Sequence, residues 1–481
     1  MTSRRARGVG PGLPGWGCGR PAATWAATRA SALVTTLAAL VVAGCVTRRV
    51  RDPGPPTVIL LPAPRAADTA AAAPPPGIPR DTAPAAPTDA TMDVRVGLAT
   101  AAQDAPLTAT GPWRLYDASG DVLIRGRAGE TWTVEHDGQR LRARSRAGQG
   151  TQWVTGDVTL RTDIAGTYGT FAGRRYRGAL RVVATDTGLI VVNVLAVEEY
   201  LRGVVPLEIG VSRSESDQAA VEAQAVAARS YTWVRLSATT GGGAPYDLVA
   251  TVNDQVYGGV DAERENTDRA VRATAGLVLK YSGRVVDAPY SSACGGETAT
   301  PDEVWRTGAT PGYLRRVSDR IPGTTDRYYC DIAPRFSWTK EFSSAQLDAA
   351  VRAYLGSYAG GVPAGGPGHV RAVSVVSRTP SGRVATTSFA TDRGSFSVRG
   401  NDVRYVLRAV GGEILNSTYF SVANEPPSGG SLSRIVIRGN GYGHGVGMCQ
   451  WGAIGRARAG QTARAILAAY YPGTSVGFAS Q

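Results

Sequence analysis

The segment LRVVATDTGLIVVNV, residues 180–194, decides the fold class of this 481-residue chain. Two runs of aliphatic and β-branched residues flank Asp186-Thr187-Gly188, and a short polar insert with glycine between two such runs is typical of a β-hairpin. Similar short alternating runs begin at about Asp93 and are separated by Gly, Asp and Ser. The chain up to this segment is therefore predicted to be β-rich, with antiparallel sheets.

The pattern changes in SESDQAAVEAQAVAARSYTWVRL, residues 214–236. Ser214 and Asp217 have the spacing of a capping box, and apolar residues then recur at helical intervals. The glycines at 241–243 end this predicted helix. The segment EEYLRGVVPLEIG, residues 198–210, precedes it and contains a predicted Tyr200-Leu201-Arg202-Gly203 turn.

Two further signals lie in the second half of the chain. Residues 346–354 form an amphipathic stretch, and Thr379-Pro380-Ser381-Gly382 predicts a second hairpin. Strands and helices do not alternate regularly along the chain, as they would in a parallel βαβ fold. The predicted fold class is α+β, a β-rich domain with antiparallel sheets and a few helices.

The formal net charge is +13 at pH 7, which raises the question of a nucleic-acid partner. The basic residues do not cluster: Lys280 and Lys340 are the only lysines, and the arginines are spread along the chain. A scattered distribution argues against a phosphate-binding groove, so no nucleic-acid partner is expected. The diffuse positive field favours polyanionic partners such as glycan strands with lactyl carboxylates, or anionic lipid.

Residues 1–44 have the features of a secretory signal peptide. Five arginines without an acidic residue precede an apolar run at 31–42, which is too short for a stop-transfer helix. The sequence Val42-Ala43-Gly44-Cys45 resembles the lipobox of bacterial lipoproteins, which implies that Cys45 becomes the acylated N-terminus. We expect an exported, membrane-anchored lipoprotein, located in the periplasm or at the outer membrane if the host is Gram-negative.

Residues 45–92 are dominated by Pro and Ala and predict a tether that lets the rest of the chain reach the cell wall. The globular part is assigned to residues 93–478. It is divided into a β-rich N-terminal part, 93–195, and a catalytic part, 196–478.

Seven sequence blocks together carry a family resemblance. They are EEYLRGVVPLEIG (198–210), AVEAQAVAARSYTW (220–233), NDQVYGG (253–259), YSSACGGET (290–298), LNSTYF (415–420), GNGYGHGVGMCQWGA (439–453) and YYPGT (470–474). In this order they resemble the SpoIID/LytB family, which includes sporulation stage II protein D and amidase enhancers. The resemblance covers roughly residues 93 to 476.

The resemblance implies a lytic transglycosylase that cleaves peptidoglycan glycan strands denuded of stem peptides and forms 1,6-anhydro-muramic acid ends. The family's catalytic glutamate lies in the block after EYLRGV, where this chain has Glu208. Glycosidic cleavage needs a proton donor, and the apolar residues before Glu208 should raise its pKa through desolvation. The rival carboxyl groups are Glu198, Glu199 and Glu215, which are expected to be solvated or helix-capping charges.

The alternative function is a peptidoglycan-binding amidase enhancer that does not cut, and its expected partner is a cell-wall amidase. A third possibility is a structural lipoprotein that anchors glycan. Glu208 distinguishes the enzyme from both, because binding alone needs no proton donor.

The resemblance also implies a substrate groove. Its expected members are Arg229, Tyr257, Tyr290, Ser292, His444 and Gln450, and Trp451 is a further aromatic candidate. Each has a structural alternative: Arg229 as a helix-surface residue, His444 as a structural hydrogen-bonding group, and the aromatic residues as core. The glycines at 439–443 imitate a dinucleotide fingerprint, but no acidic residue follows Glu425, so no nucleotide cofactor is expected.

Cysteine usage leaves two possibilities open. Without Cys18 and Cys45, an exported chain retains Cys294, Cys330 and Cys449, an odd number. We predict a disulfide between Cys294 and Cys330, with no cofactor. The alternative is zinc at Cys294 and Cys330, completed by His444 or Cys449, although Ser291 stands where family members often have histidine.

Overall fold

The computed structural model describes residues 92–239, 243–305, 310–409, 411–425 and 432–479. The predicted signal peptide, Cys45 and the tether lie outside these residues. Within the described ranges, no helix has both the length and the apolar character that crossing a bilayer requires.

The strands of the described residues form six sheets, all antiparallel apart from two short parallel ladders. They are β1 (Asp93–Ala102), β2 (Ala105–Ala109), β3 (Trp113–Tyr116), β4 (Val122–Gly126), β5 (Trp132–Asp137), β6 (Arg140–Ser145), β7 (Val154–Thr155), β8 (Val158–Thr162), β9 (Gly169–Phe171), β10 (Arg174–Tyr176), β11 (Ala179–Thr185), β12 (Gly188–Ala196), β13 (Leu248–Val249), β14 (Leu277–Tyr281), β15 (Arg284–Val285), β16 (Tyr290–Ser291), β17 (Ser337–Ser343), β18 (Val370–Arg378), β19 (Val384–Thr391), β20 (Gly394–Arg399), β21 (Phe420–Glu425), β22 (Arg434–Asn440), β23 (Met448–Cys449) and β24 (Ser475–Phe478).

In the described part of the chain the helices are fewer than the strands, and all of them lie after β12. They are α1 (Val197–Ile209), α2 (Gln218–Thr239), α3 (Glu265–Ala273), α4 (Pro301–Val304), α5 (Ser344–Tyr354), α6 (Val403–Val406), α7 (Gln450–Arg458) and α8 (Ala463–Tyr470). Strands hold 36% of the described residues and helices 25%, so the α+β prediction is confirmed.

The N-terminal strands build two larger sheets with the orders β13-β1-β12-β11-β8-β3-β4 and β10-β9-β2-β5-β6-β7. The predicted hairpin is confirmed, since β11 and β12 pair antiparallel with Thr185 opposite Gly188. The predicted capping box is also present: Ser214 and Asp217 form it around a short 3-10 turn that leads into α2. The second hairpin is confirmed by the antiparallel pairing of β18 with β19.

The predicted Tyr200-Leu201-Arg202-Gly203 turn is wrong, because these residues lie in the middle of α1. Gly203 reads as a turn signal in sequence, but here it allows close packing. A Cβ atom at this position would lie 2.5 Å from Cε2 of Tyr257. Glycine is therefore required by the neighbouring ring and not by a change of chain direction.

The hydrophobic side chains form two cores. The main core combines the N-terminal sheets with α1, α2, α3, α7 and α8. Residues 337–440, which we call the inserted lobe, enclose a second core made by β17–β22, α5 and α6. The chain then returns to the main core at Val446 and Met448, so the lobe is an insertion between two parts of one core.

Candidate active site

Glu208 lies in the last turn of α1, where its side chain is half-buried. Its Oε1 accepts a hydrogen bond of 2.9 Å from the backbone N–H of Val256, and its carboxyl group also meets the side chain of Gln450. Burial raises the pKa of Glu208, and this effect outweighs the two hydrogen bonds, which lower it. The Glu208 carboxyl group therefore keeps its proton to a higher pH than an ordinary glutamate does.

Gln255 organises the buried groups beside Glu208. Its Oε1 accepts hydrogen bonds from Tyr200 Oη at 3.2 Å and from Thr232 Oγ1 at 2.9 Å. Its Nε2 donates to Tyr290 Oη at 2.9 Å. Burial and the nearby charge of Glu208 raise the pKa values of Tyr200 and Tyr290. Sequence reasoning passed over Gln255, although an amide in the middle of the NDQVYGG block was an available signal.

Two further amide side chains, those of Gln450 and Gln224, form a hydrogen-bonded pair next to the Glu208 carboxyl group. Nε2 of Gln450, at the start of α7, donates to Oε1 of Gln224 on α2 at 3.3 Å. Nε2 of Gln224 is buried and has no hydrogen-bond partner among the described residues. Buried amide donors rarely stay unpaired, and the sequence did not single out this unused donor.

Two of the residues expected in the groove have their polar groups occupied inside the protein. Arg229 forms a two-point ion pair with Glu198, at 2.7 and 2.8 Å, and its side chain is 3% exposed. Tyr257 is buried and donates from Oη to Asn193 Oδ1 at 2.8 Å. In this structure both residues hold α1 in place, and their substrate contacts remain a prediction.

His444 lies next to Tyr290 and packs 5.1 Å from the Trp305 ring, measured between centroids. Its Nδ1 accepts a hydrogen bond of 3.1 Å from the N–H of Val446, and the Tyr290 backbone is a further hydrogen-bond partner. Desolvation, reinforced by the positive charge of Arg404, lowers the pKa of His444 to about 3. The imidazole is therefore neutral and does not act as a cation near neutral pH.

Ser292 and Trp451 are adjacent at the edge of the Glu208 site. The N–H of Trp451 donates to the carbonyl of Ser292 at 3.0 Å, and the Arg213 guanidinium lies 5.0 Å from the Trp451 ring. The structure thus brings Glu208 and Gln450 into contact and places Tyr290 close enough for the charge of Glu208 to act on it. His444 lies next to Tyr290, and Ser292 contacts Trp451, the residue after Gln450. Tyr257 and Arg229 instead pack against residues of α1.

A cleft of about 890 Å³ lies beside this site, between the main core and the inserted lobe. Tyr290 and His444 line it, but Glu208 does not. Asp287 also lines it, and burial raises the pKa of this carboxyl despite Arg235 at 3.4 Å. Oδ1 of Asp287 has no hydrogen-bond partner among the described residues. Asp287 is therefore a second carboxyl group with a raised pKa, and the sequence analysis did not identify it.

The three cysteines meet in one buried cluster with Asp319. All three are free thiols, and Cys294 Sγ lies 3.5 Å from Cys330 Sγ and 3.6 Å from Asp319 Oδ2. Cys449 Sγ accepts a hydrogen bond of 3.1 Å from the N–H of Cys294. The thiols of Cys294 and Cys330, the two predicted disulfide partners, thus lie next to each other, and the thiol of Cys449 is a third member of the cluster. His444 is not part of this cluster.

The donor set of this cluster fits zinc. A tetrahedral ion with Zn–S bonds of about 2.3 Å separates its sulfur ligands by about 3.8 Å. The ligand atoms here all lie within 4.8 Å of one another. Asp319 Oδ1 accepts from Tyr470 Oη at 2.6 Å and from Arg456 Nη2 at 3.2 Å, which leaves Oδ2 turned toward the sulfur atoms. Such outer hydrogen bonds are typical of carboxylates that orient toward a metal.

Comparison with known proteins places this geometry in context. A family described as stage II sporulation protein matches residues 185–281, which include α1 and α2. A domain of unknown function (DUF8618) matches residues 316–447, which include the whole inserted lobe.

Several known proteins have similar sequences. The amidase enhancer of Bacillus subtilis (strain 168) is 31% identical over 303 aligned residues, with 57% of this chain and 40% of that protein covered. The chain thus spans less than half of the enhancer's length. An uncharacterised protein of Brachyspira hyodysenteriae is 30% identical over 307 residues, with 64% of this chain and 73% of the relative covered.

The stage II sporulation protein D of Bacillus subtilis (strain 168) is 27% identical over 296 residues, with 59% of this chain and 74% of the relative covered. The sequence blocks around Glu208 and the matches to these proteins agree. The chain belongs to the SpoIID/LytB family.

Proposed function

We propose that this protein acts on the bacterial cell wall as a lytic transglycosylase that cleaves peptidoglycan glycan strands, with Glu208 as the acid and base. The supporting observation is the Glu208 carboxyl group, whose pKa is raised by burial at the end of α1 and which is held by Val256 and Gln450. Acid–base groups of glycosidases need such a raised pKa in order to be protonated near neutral pH. The amidase-enhancer and sporulation-protein names of the relatives support a role at the cell wall.

The proposed reaction needs a single carboxyl group. Protonated Glu208 donates its proton to the glycosidic oxygen as the bond from that oxygen to the muramic acid anomeric carbon breaks. The resulting carboxylate takes the proton of the muramic acid C6 hydroxyl, whose oxygen forms the new bond to the anomeric carbon. The products are a free 4-hydroxyl end and a 1,6-anhydro end, and Glu208 is protonated again. A nucleophilic second carboxylate, which retaining hydrolases use, is not required.

The second candidate function is a binding protein that stimulates a cell-wall amidase. The similarity to the amidase enhancer favours it, and glycan binding in the cleft lined by Tyr290 and His444 would not depend on proton transfer. Incubation of the purified protein with denuded glycan strands, followed by mass spectrometry, separates the two. Products with 1,6-anhydro ends support the lyase. Binding without such ends, together with faster hydrolysis by an added amidase, supports the enhancer.

Membrane attachment is proposed through acylated Cys45, because Val42-Ala43-Gly44-Cys45 has the form of a lipoprotein cleavage site. Cys45→Ala should move the protein from the detergent phase to the soluble extracytoplasmic fraction. Cys18→Ala is the matched control, since it changes a cysteine within the same leader and should leave partitioning unchanged. Unaltered partitioning of the Cys45 variant would exclude the anchor.

The thiol cluster is proposed to hold a structural zinc ion through Cys294, Cys330, Cys449 and Asp319. Purified protein should then contain about one zinc per chain, and strong chelators should lower its melting temperature. Cys449→Ser should lose most of the metal, whereas a disulfide between the other two cysteines would leave Cys449 dispensable. Non-reducing peptide mapping that finds a Cys294–Cys330 bond and no zinc would establish the disulfide instead.

A further inference from the structure

Arg404 is a buried arginine at the cleft between the main core and the inserted lobe. It lies on α6, is 6% exposed and lines the cleft. Its Nε donates to the carbonyl of Leu415 at 2.7 Å, and its Nη1 donates to Asn401 Oδ1 at 3.1 Å. Neither partner is charged, and among the described residues Nη2 has no hydrogen-bond partner.

Two other buried arginines of the molecule are neutralised by carboxylates. Arg229 is paired with Glu198, and Arg456 with Asp319. Arg404 forms no ion pair within the described part of the chain, and desolvation lowers its pKa to about 10. A buried guanidinium is costly unless an anion accompanies it.

The acidic groups that line the cleft have partners of their own. Asp254 and Asp287 face Arg235 at 3.8 and 3.4 Å, and Glu413 lies 3.7 Å from Lys340. Arg383 is also buried, its positive charge acts on Arg404, and it forms no ion pair among the described residues. The neighbourhood of Arg404 therefore has an uncompensated positive charge.

The surroundings of Arg404 suit a sugar ring. Trp305, Tyr405 and Tyr442 line the cleft, and aromatic rings commonly stack on the apolar faces of sugars. Tyr290 connects the cleft to the acid site, because it lines the cleft and its pKa is raised in part by the charge of Glu208. One glycan strand could therefore contact both places.

We propose that Arg404 binds the lactyl carboxylate of a muramic acid residue and so selects glycan strands that have lost their stem peptides. This inference rests on the proposed function. In a denuded strand the lactyl group ends in a free carboxylate, whereas in a peptide-bearing strand the same carbon belongs to a neutral amide. A desolvated guanidinium distinguishes the two, since it gains a charge-assisted hydrogen bond only from the carboxylate.

The experiment compares two denuded strands of equal length, one with free lactyl carboxylates and one with these groups converted to methylamides. Binding to the full-length protein in detergent is measured by calorimetry, in the Glu208→Gln background so that the strands stay intact. The free strand should bind about tenfold or more tightly, the range of one hydrogen bond to a charged group. Arg404→Gln should reduce this ratio to near one by weakening only the free strand, and Arg404→Lys should restore part of it.

Arg408→Gln is the matched control. Arg408 lines the same cleft, but it is half-exposed, and its guanidinium lies 4.4 Å from the Tyr354 ring. Its removal should leave the ratio unchanged, and a ratio lost in this variant but kept in Arg404→Gln would overturn the assignment. The Glu208→Gln protein, which retains Arg404, already shows by itself whether the free strand binds more tightly than the amidated strand. This part of the test therefore does not depend on whether Arg404→Gln folds.

The two proposals fail in different ways. Equal binding of the free and amidated strands overturns the role of Arg404, even if the wild type still produces 1,6-anhydro ends. Carboxylate-dependent binding without anhydro ends overturns the lyase and leaves Arg404 as the selective residue of a binding protein.

Discussion

Glu198 and Glu208 occupy opposite ends of α1 and have opposite surroundings. Glu198, in the first turn, accepts two hydrogen bonds from Arg229 and one of 3.1 Å from the N–H of Gly276. Glu208, in the last turn, forms no ion pair among the described residues, and burial raises its pKa. The helix dipole acts in the same sense, because it favours a negative charge at the N-terminus and disfavours one at the C-terminus.

The comparison distinguishes Glu198, a carboxylate with a structural role, from Glu208, a carboxyl group suited to proton transfer. Glu198 is ion-paired where it fixes α1 to α2 and to the loop before β14. Glu208 is a carboxyl group whose protonated form is favoured and whose neighbours are amides and tyrosines, so it can exchange a proton with a ligand. Both residues are glutamates, so residue type does not distinguish them, whereas their positions at opposite ends of α1 do.

The largest expected effect is on cleavage by Glu208→Gln. Glutamine keeps the shape of the side chain but cannot transfer the proton, so the rate of anhydro-end formation should fall about 10²–10⁴-fold. Sedimentation with denuded glycan should persist, because the amide still occupies the site. Glu199→Gln on the same helix is the control and should retain the wild-type rate within about twofold. Cleavage by Glu208→Gln at the wild-type rate would transfer the acid role to another carboxyl group, with Asp287 as the next candidate.

At the N-terminal end of α1, replacement of Glu198 should change the stability of the protein. Glu198→Gln leaves the Arg229 guanidinium buried without its carboxylate, which should lower the free energy of unfolding by about 1–3 kcal/mol. Urea denaturation measures this loss, and the cleavage rate of the folded variant should remain close to that of the wild type. An Arg229→Gln, Glu198→Gln double variant reports the coupling. If Glu198→Gln abolished cleavage in a fully folded protein, the division between the two ends would be incorrect.

Local sequence patterns predicted much of the fold. The hairpin of β11 and β12, the capping box before α2 and the β18–β19 hairpin all depend on contacts within about ten residues, which the sequence displays directly. The turn at Tyr200–Gly203 was mispredicted because the role of Gly203 depends on Tyr257, more than fifty residues away. Local sequence propensities contain no information about the contact between Gly203 and Tyr257.

The candidate site was predictable only in part. The resemblance led to Glu208, Tyr290 and Gln450, but the neighbours that tune them are distant in sequence and have no motif of their own. Gln224 and Gln255 are ordinary amides in the sequence, and Arg404 lies in the inserted lobe, more than 100 residues from either. Asp319 likewise joins the cysteines only in the folded chain. Such residues acquire their chemistry from burial and from missing partners, which tertiary structure alone reveals.

The smallest expected effect is a pH-dependent difference in stability between the wild type and Glu208→Gln. Because the pKa of Glu208 is raised in the folded state, the native protein binds more protons than the unfolded chain between the two pKa values. Its stability relative to the glutamine variant is therefore fully present below the ordinary glutamate pKa and is lost as the pH rises through the folded-state value. Urea unfolding of both proteins from pH 4 to pH 8 should show a difference that grows in favour of Glu208→Gln and then levels off. Glu199→Gln corrects for the loss of one carboxyl group on α1. A difference that stays constant with pH would mean that Glu208 titrates alike in the folded and unfolded chains, and the contrast between the two ends of α1 would then rest on Arg229 alone.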